Sequence, residues 1–293
     1  MTTDTLNTTQ IAATDAGPIE YRTIGGGTPV LVLHGTPGGI DQAELMARFL
    51  PAGFEAILVS RPGYLDTPLG DYPGFDAEAY LLVALLDHLG IERAGVLAWS
   101  GAGPVAYRLA ALHPDRISAL VTIAAVSEAF TVAPLDLGNR FLMGTKVGAR
   151  IIRMLAEHQP EQLIDGTLKT EGTLTPEQRK ARLAEILEDD VKRRFVLDLA
   201  RTVDLGRARK AGYERDCRLF TEIETLELER ITQPTLIVHG NADAELPVAH
   251  SVHAAAAIPN ARLLTLETGT HLAFYAHPSA ALAQAEAVRT LRG

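Results

Sequence analysis

A serine, an aspartate and a histidine, Ser100, Asp243 and His271, follow one another along this chain, each shortly after an apolar run. A serine hydroxyl is a weak nucleophile. It attacks a carbonyl when a histidine within hydrogen-bond reach takes its proton and an acid orients that histidine and stabilises its charge. Ser100 has the most informative surroundings, Leu97-Ala98-Trp99-Ser100-Gly101-Ala102-Gly103. An apolar run stops at the serine, small residues follow, and a helical pattern begins. This is the signature of a nucleophile elbow, in which the serine hydroxyl stands proud of a sheet edge. Ala98 and Ala102 stand where G-x-S-x-G has glycines. Alanine adds one methyl, so the expectation is a strained Ser100 backbone with both methyls packed close by.

The elements that must position these residues read as alternating strands and helices. Short apolar runs at Ile19–Ile24, Pro29–Leu33, Ala56–Val59, Ala94–Trp99, Leu120–Val126, Thr235–Val238 and Arg262–Leu266 suit strands, most of them buried on both faces. Helical patterns run from Asp41 to Leu50, from an N-cap at Asp76 to Gly90, from Ser100 to His113-Pro114, from Glu177 to Arg194, and from Ser279 to Leu291. Strands alternating with helices imply a mostly parallel sheet covered on both faces. From about Phe130 to Glu229 the pattern is helical and charged. That stretch reads as a helical cap over one sheet edge. The expected division is therefore a core of residues 1–128 and 230–293 and a cap of residues 129–229.

Composition narrows the function classes. The 293 residues carry a formal net charge of −9 and no basic stripe, which argues against nucleic acid or an anionic membrane as partner. The lone Cys217 cannot form an internal disulfide, and no Cys/His spacing suits zinc. Residues Met1 to Ala12 lack the form of a signal peptide, and no apolar run reaches the ~20 residues that span a bilayer. The expectation is a soluble cytoplasmic protein that takes a small-molecule substrate and needs no metal or cofactor.

Ligands of open α/β sheets sit outside the carboxyl ends of the strands. The motifs at those ends are His34-Gly35-Thr36-Pro37-Gly38-Gly39, Arg61-Pro62-Gly63-Tyr64, Trp99-Ser100-Gly101, His239-Gly240 with Asp243 and Pro247, and Gly269-Thr270-His271. In these five motifs the chain resembles the α/β-hydrolase fold family, in its capped group of proline iminopeptidase-like and small-molecule esterase-like enzymes. The resemblance implies a mostly parallel eight-stranded sheet with helices on both faces and an inserted cap. It implies Ser100 as nucleophile, His271 as general base and Asp243 as orienting acid. The backbone N–H groups of Thr36 and Gly101 would form the oxyanion hole. Gly101 in the first turn of a helix suits that role independently, because unpaired N–H groups point outward there. Glu128 is the alternative acid. Asp243 is preferred because its loop follows its strand at the family's spacing.

The remaining residues have plainer readings. Trp99 is expected to wall the substrate pocket. His34 is a second pocket candidate, though it better suits bracing the oxyanion loop. Arg61 reads as a solvated or loop-bracing residue, and His113 and His277 as surface histidines. Arg207 to Lys210 and Glu222 to Arg230 read as solvated faces. Phe130, Leu135, Phe141, Leu142 and Met143 suit either a pocket lining or cap packing.

The leading expectation is a serine hydrolase that cleaves a small ester, lactone, thioester or amide through an acyl-enzyme. A serine at the elbow argues against chemistries that need a carboxylate there. Aminopeptidase action, carbon–carbon bond hydrolysis and perhydrolysis are compatible with a serine. An aminopeptidase would need cap carboxylates for the substrate's ammonium, and Glu157, Glu161, Glu214, Asp216 and Glu222 are candidates. A non-catalytic ligand-binding protein of the same fold is the alternative from another class.

Overall fold

The computed structural model describes residues 8–134 and 137–293. Eight strands form one sheet: β1 (Gln10–Thr14), β2 (Gly17–Gly25), β3 (Gly27–Leu33), β4 (Gly53–Val59), β5 (Ala94–Trp99), β6 (Ile117–Ile123), β7 (Thr235–Gly240) and β8 (Ala261–Leu266). Their spatial order is β1-β2-β4-β3-β5-β6-β7-β8. β1, β2 and β4 pair antiparallel, and every other pairing is parallel. The central strands are apolar throughout because both of their faces are covered. Leu31, Leu33, Val96 and Ala98 pack into one core with helices α2 (Phe75–His88) and α3 (Gly103–Leu112). Their neighbours Val30, Val32, Leu97 and Trp99 pack into a second core with α1 (Ile40–Ala47) and the C-terminal helix, Ala280–Arg292. The two-residue period of a strand thus divides one apolar sequence between two cores.

β1 was not among the strands expected from the apolar runs. It forms a hairpin with β2, and its Ala12 is buried while Ile11 is exposed. An edge strand with one small inward residue carries little hydrophobic signal. β6 ends three residues earlier than expected. Ala124 has φ +41°, so the chain leaves the sheet there, and Val126 N–H donates to the Ser100 carbonyl at 3.1 Å. The helix α2 begins at Phe75 with Gly74 at its N-cap, so Asp76 sits inside the first turn instead of capping it.

Between β6 and β7 the described residues form helices α4 (Leu137–Gly144), α5 (Lys146–His158), α6 (Pro160–Glu171), α7 (Pro176–Glu188), α8 (Asp190–Leu199) and α9 (Arg207–Thr221). The pattern over Glu177 to Arg194 is two helices, not one. Thr175 and Gln178 close a capping box on α7, and the Asp189 side chain accepts from the backbone N–H groups of Val191 and Lys192 to start α8. A capping aspartate inside a periodic pattern divides it. Leu135 lies outside the described residues.

The elbow matches the strain expected of it. Ser100 has φ +54°, in the left-handed region that non-glycine residues seldom occupy. It is half-buried, whereas every other residue from Ala94 to Ala111 is buried. Ala98 and Ala102 are both buried completely. The tight approaches fall instead on the two glycines. A Cβ on Gly101 would lie 2.1 Å from Thr36 Oγ1, and one on Gly103 would lie 2.3 Å from the Val126 carbonyl oxygen. Gly103→Ala should destabilise the protein by about 1–3 kcal/mol, since backbone must move to admit the methyl. Urea denaturation measures this, and an unchanged midpoint would mean that the elbow has slack.

Candidate active site

The loops after β7 and β8 carry Asp243 and His271. They cross with glycine against glycine: a Cβ on Gly240 would lie 2.2 Å from the Gly269 carbonyl oxygen. This contact brings the two side chains together. His271 Nδ1 and Asp243 Oδ2 are 2.7 Å apart. Asp243 Oδ1 accepts from the backbone N–H groups of Glu245 at 2.8 Å and Leu246 at 2.9 Å. Glu128 is exposed and lines a separate cleft with His253, so the geometry pairs His271 with Asp243 and not with Glu128. The His271 ring stacks on Trp99, the residue before Ser100, with centroids 5.6 Å apart.

Electrostatics follow from burial and charge. Burial raises the Asp243 pKa, but the charge of His271 and the hydrogen bonds from His239 and His271 outweigh it, and the carboxyl is held below its usual range. Burial lowers the pKa of His271, yet the Asp243 carboxylate and its hydrogen bond raise it to about 9. An imidazole acting as base must be neutral, so the base-competent form grows as pH rises toward that value.

Two residues at this centre were given no role by the sequence. His239 Nε2 lies 3.0 Å from Asp243 Oδ2 and 3.1 Å from the Leu246 carbonyl oxygen, while its Nδ1 is 2.7 Å from Ser251 Oγ. Two acceptors facing Nε2 mean that Nε2 carries the proton and Nδ1 accepts from Ser251. Asp243 is therefore held by two histidines. The only sequence signal was a histidine at a strand end four residues before the acid. Glu171, at the end of α6, accepts from the backbone N–H groups of His271 at 3.0 Å and Ala244 at 3.2 Å through its carbonyl. Its Oε2 is buried without a hydrogen-bond partner. Burial raises its pKa to about 8 against the opposing charge of His271. Nothing in a charged helical stretch distinguishes such a glutamate from its solvated neighbours.

On the other side of Ser100 stands the loop after β3. His34 is fully buried. Its Nδ1 lies 2.7 Å from the Gly35 carbonyl oxygen, and its Nε2 accepts from the Arg61 N–H at 3.0 Å. Burial and the charge of Arg61 hold its pKa well below the usual value. Both nitrogens are committed, so His34 braces the loop. Trp99 is also buried, packed against Phe195, Tyr275 and His271.

Arg61 is not solvated. It is fully buried, with Nε 2.7 Å from Glu78 Oε1, Nη1 2.8 Å from Asp216 Oδ2 and Nη2 3.0 Å from Asp216 Oδ1. Burial lowers its pKa, and Asp216 and Glu78 more than reverse that. Arg209 is also buried, donating to the Gly38 carbonyl at 2.6 Å and to Asp41 Oδ2 at 2.6 Å, so it departs from the solvated face expected of its run, whereas Lys210 is exposed. His277 is buried too, with Nε2 2.9 Å from the Glu267 carbonyl oxygen. Burial raises the Cys217 thiol pKa, which disfavours the thiolate a nucleophile needs.

A model of the alpha/beta hydrolase fold matches residues 28–278. The chain belongs to that family. A solved structure of an alpha/beta hydrolase fold protein from Nakamurella multipartita superposes with a TM-score of 0.95 at 45% identity, covering 97% of this chain and 99% of the other. The pimeloyl-[acyl-carrier protein] methyl ester esterase of Aromatoleum aromaticum is 28% identical over 85% of this chain and 93% of its own length. The 2-hydroxy-6-oxononadienedioate/2-hydroxy-6-oxononatrienedioate hydrolase of Cupriavidus pinatubonensis is 26% identical over 93% of this chain and 92% of its own length. This α/β-hydrolase thus has both an esterase and a further hydrolase among its relatives. No helix among the described residues is long and apolar enough to cross a membrane.

The Asp243–His271 pair carries a direct test. The ring titration of His271, followed by NMR, should have its midpoint near 9 and fall toward the ordinary value of about 6.5 in Asp243→Asn. A midpoint that stays near 9 in the variant would refute the assigned cause.

Proposed function

We propose that this protein is a serine hydrolase of small carboxylic esters and related acyl compounds. One observation carries the reading: Ser100 occupies a left-handed elbow, and the adjoining Trp99 stacks on a histidine whose Nδ1 is held by a buried aspartate at 2.7 Å. Ser100 Oγ attacks the substrate carbonyl carbon as His271 takes its proton. The carbonyl oxygen, now an oxyanion, accepts from the backbone N–H groups of Thr36 and Gly101. The tetrahedral adduct collapses to an acyl-enzyme, and the leaving oxygen departs with the proton from His271. His271 then deprotonates a water, which attacks the acyl carbon, and returns that proton to Ser100 Oγ as the second adduct collapses and the acid leaves. Each oxyanion donor in such a site lowers the barrier by about 3 kcal/mol.

The carboxylates of the inserted helices, taken here as a cap, favour an ester over an amine-bearing substrate. Asp216 is occupied by Arg61, Tyr64 and Thr36. Glu157, Glu161, Glu214 and Glu222 are exposed. Glu171 is buried, and burial raises its pKa to about 8, which disfavours its charged form.

Ser100→Ala should fold normally and lose p-nitrophenyl acetate turnover by about 10⁴-fold. The same variant should no longer be labelled by a fluorophosphonate probe. Turnover and labelling equal to the parent chain would rule out the assignment.

A further inference from the structure

Helix α9 contributes more to this site than a cover. Arg209, Gly212, Asp216 and Phe220 recur every three or four residues and so form one stripe along it. Each meets a loop beside Ser100. Arg209 donates to the Gly38 carbonyl, and Gly212 N–H donates to the Gly63 carbonyl at 3.0 Å. Asp216 Oδ2 accepts from the Thr36 hydroxyl at 2.5 Å, from Tyr64 OH at 2.8 Å and from Arg61 Nη1 at 2.8 Å. Phe220 closes over Gly101: a Cβ on Gly101 would lie 2.9 Å from Phe220 Cζ, and 2.1 Å from Thr36 Oγ1.

The two backbone donors proposed for the oxyanion are those of Thr36 and Gly101. The Thr36 side chain lies between them, packed on Gly101 and bonded to Asp216. Asp216 cannot drift, because Arg61 holds both of its oxygens and Arg61 is itself held by Glu78 on α2. We propose that Asp216 is a positioning residue for the oxyanion hole, fixing the Thr36 donor against Gly101 through the Thr36 hydroxyl, with Phe220 as the stop behind Gly101. This rests on the hydrolase reading above. Asp216 touches no reacting atom. It sets where the donor points, and an oxyanion hole acts only when its donors are fixed before charge develops.

The consequence is specific. Substrate binding does not use the oxyanion donors at full strength, since the carbonyl oxygen becomes negative only in the transition state. Loosening Thr36 should therefore lower kcat and leave KM nearly alone. Asp216→Asn would strand the buried Arg61 charge and threaten folding, so the hydroxyl is the better target. Thr36→Val keeps the side-chain shape and deletes the bond to Asp216. Thr36→Ser keeps the hydroxyl and loses only a methyl.

In the full chain, with p-nitrophenyl acetate and rates normalised to the fluorophosphonate-reactive fraction, Thr36→Val should lose about tenfold or more in kcat with KM within about twofold of the parent. Thr36→Ser should recover at least about half of the parent kcat. A merely structural bond would lower the melting temperature of Thr36→Val and leave its normalised kcat unchanged. That result overturns the inference while a dead Ser100→Ala keeps the hydrolase reading intact. Loss in Thr36→Ser equal to that in Thr36→Val overturns it as well. A parent chain without Ser100-dependent turnover removes both.

Discussion

A fully buried guanidinium is the constraint on which much of this architecture depends. Arg61 leaves the end of β4 and enters the interior, where an uncompensated charge would cost several kcal/mol. It is stable there because two carboxylates reach it, Glu78 from α2 and Asp216 from α9. Arg215 in turn meets Glu78 at 2.7 Å, so two arginines face two carboxylates and the cluster is electrically balanced. Burial raises the Glu78 pKa, but Arg61 and Arg215 outweigh it and hold Glu78 ionised. A balanced, dry cluster of this kind tolerates little displacement, because moving one member strands the others. It is therefore a strong tie between the sheet and the helices inserted between β6 and β7.

The other half of the site is organised around a different buried anion. Asp243 receives two histidines and two backbone N–H groups, and its loop is pinned against the His271 loop where Gly240 meets Gly269. The inserted helices reach this half too, through the Glu171 carbonyl on His271 and Ala244 and through the Gly172–Asp243 bridge. The inserted segment thus grips the loops on both sides of Ser100. Residues that a sequence presents as a charged, solvent-facing insertion prove to be structural partners of the site. The buried charges Arg209, Arg215 and Asp216 each meet an opposite charge, which is why they can be buried at all.

The legible features share one physical property: each is local. The apolar runs of β3, β5 and β7 mark strands covered on both faces, and the small residues after Trp99 mark a turn too tight for bulk. Ser100, Asp243 and His271 stand out because the carboxyl ends of parallel strands all lie along one edge of the sheet. β1 was hidden because an edge strand buries one alanine and shows little hydrophobic pattern. The break at Asp189 was hidden because its capping bond competes with a helical period that continues on both sides. Arg61, Arg209 and His277 suited solvent-facing positions because polarity alone suggests solvent, and the partners that hold them inside lie 10 to 171 residues away in sequence.

The sequence by itself marked most of the sheet, the elbow at Ser100 and the strand-end positions of Asp243 and His271. Periodicity, turn chemistry and strand-end position are written in neighbouring residues. Only the tertiary structure decided which acid serves His271, that a second histidine shares it, and that α9 lies against the loops around Ser100. Those outcomes depend on pairing between buried charges far apart in the chain. Such pairing is set by which surfaces come together and how fully water is excluded between them, and no local pattern encodes either.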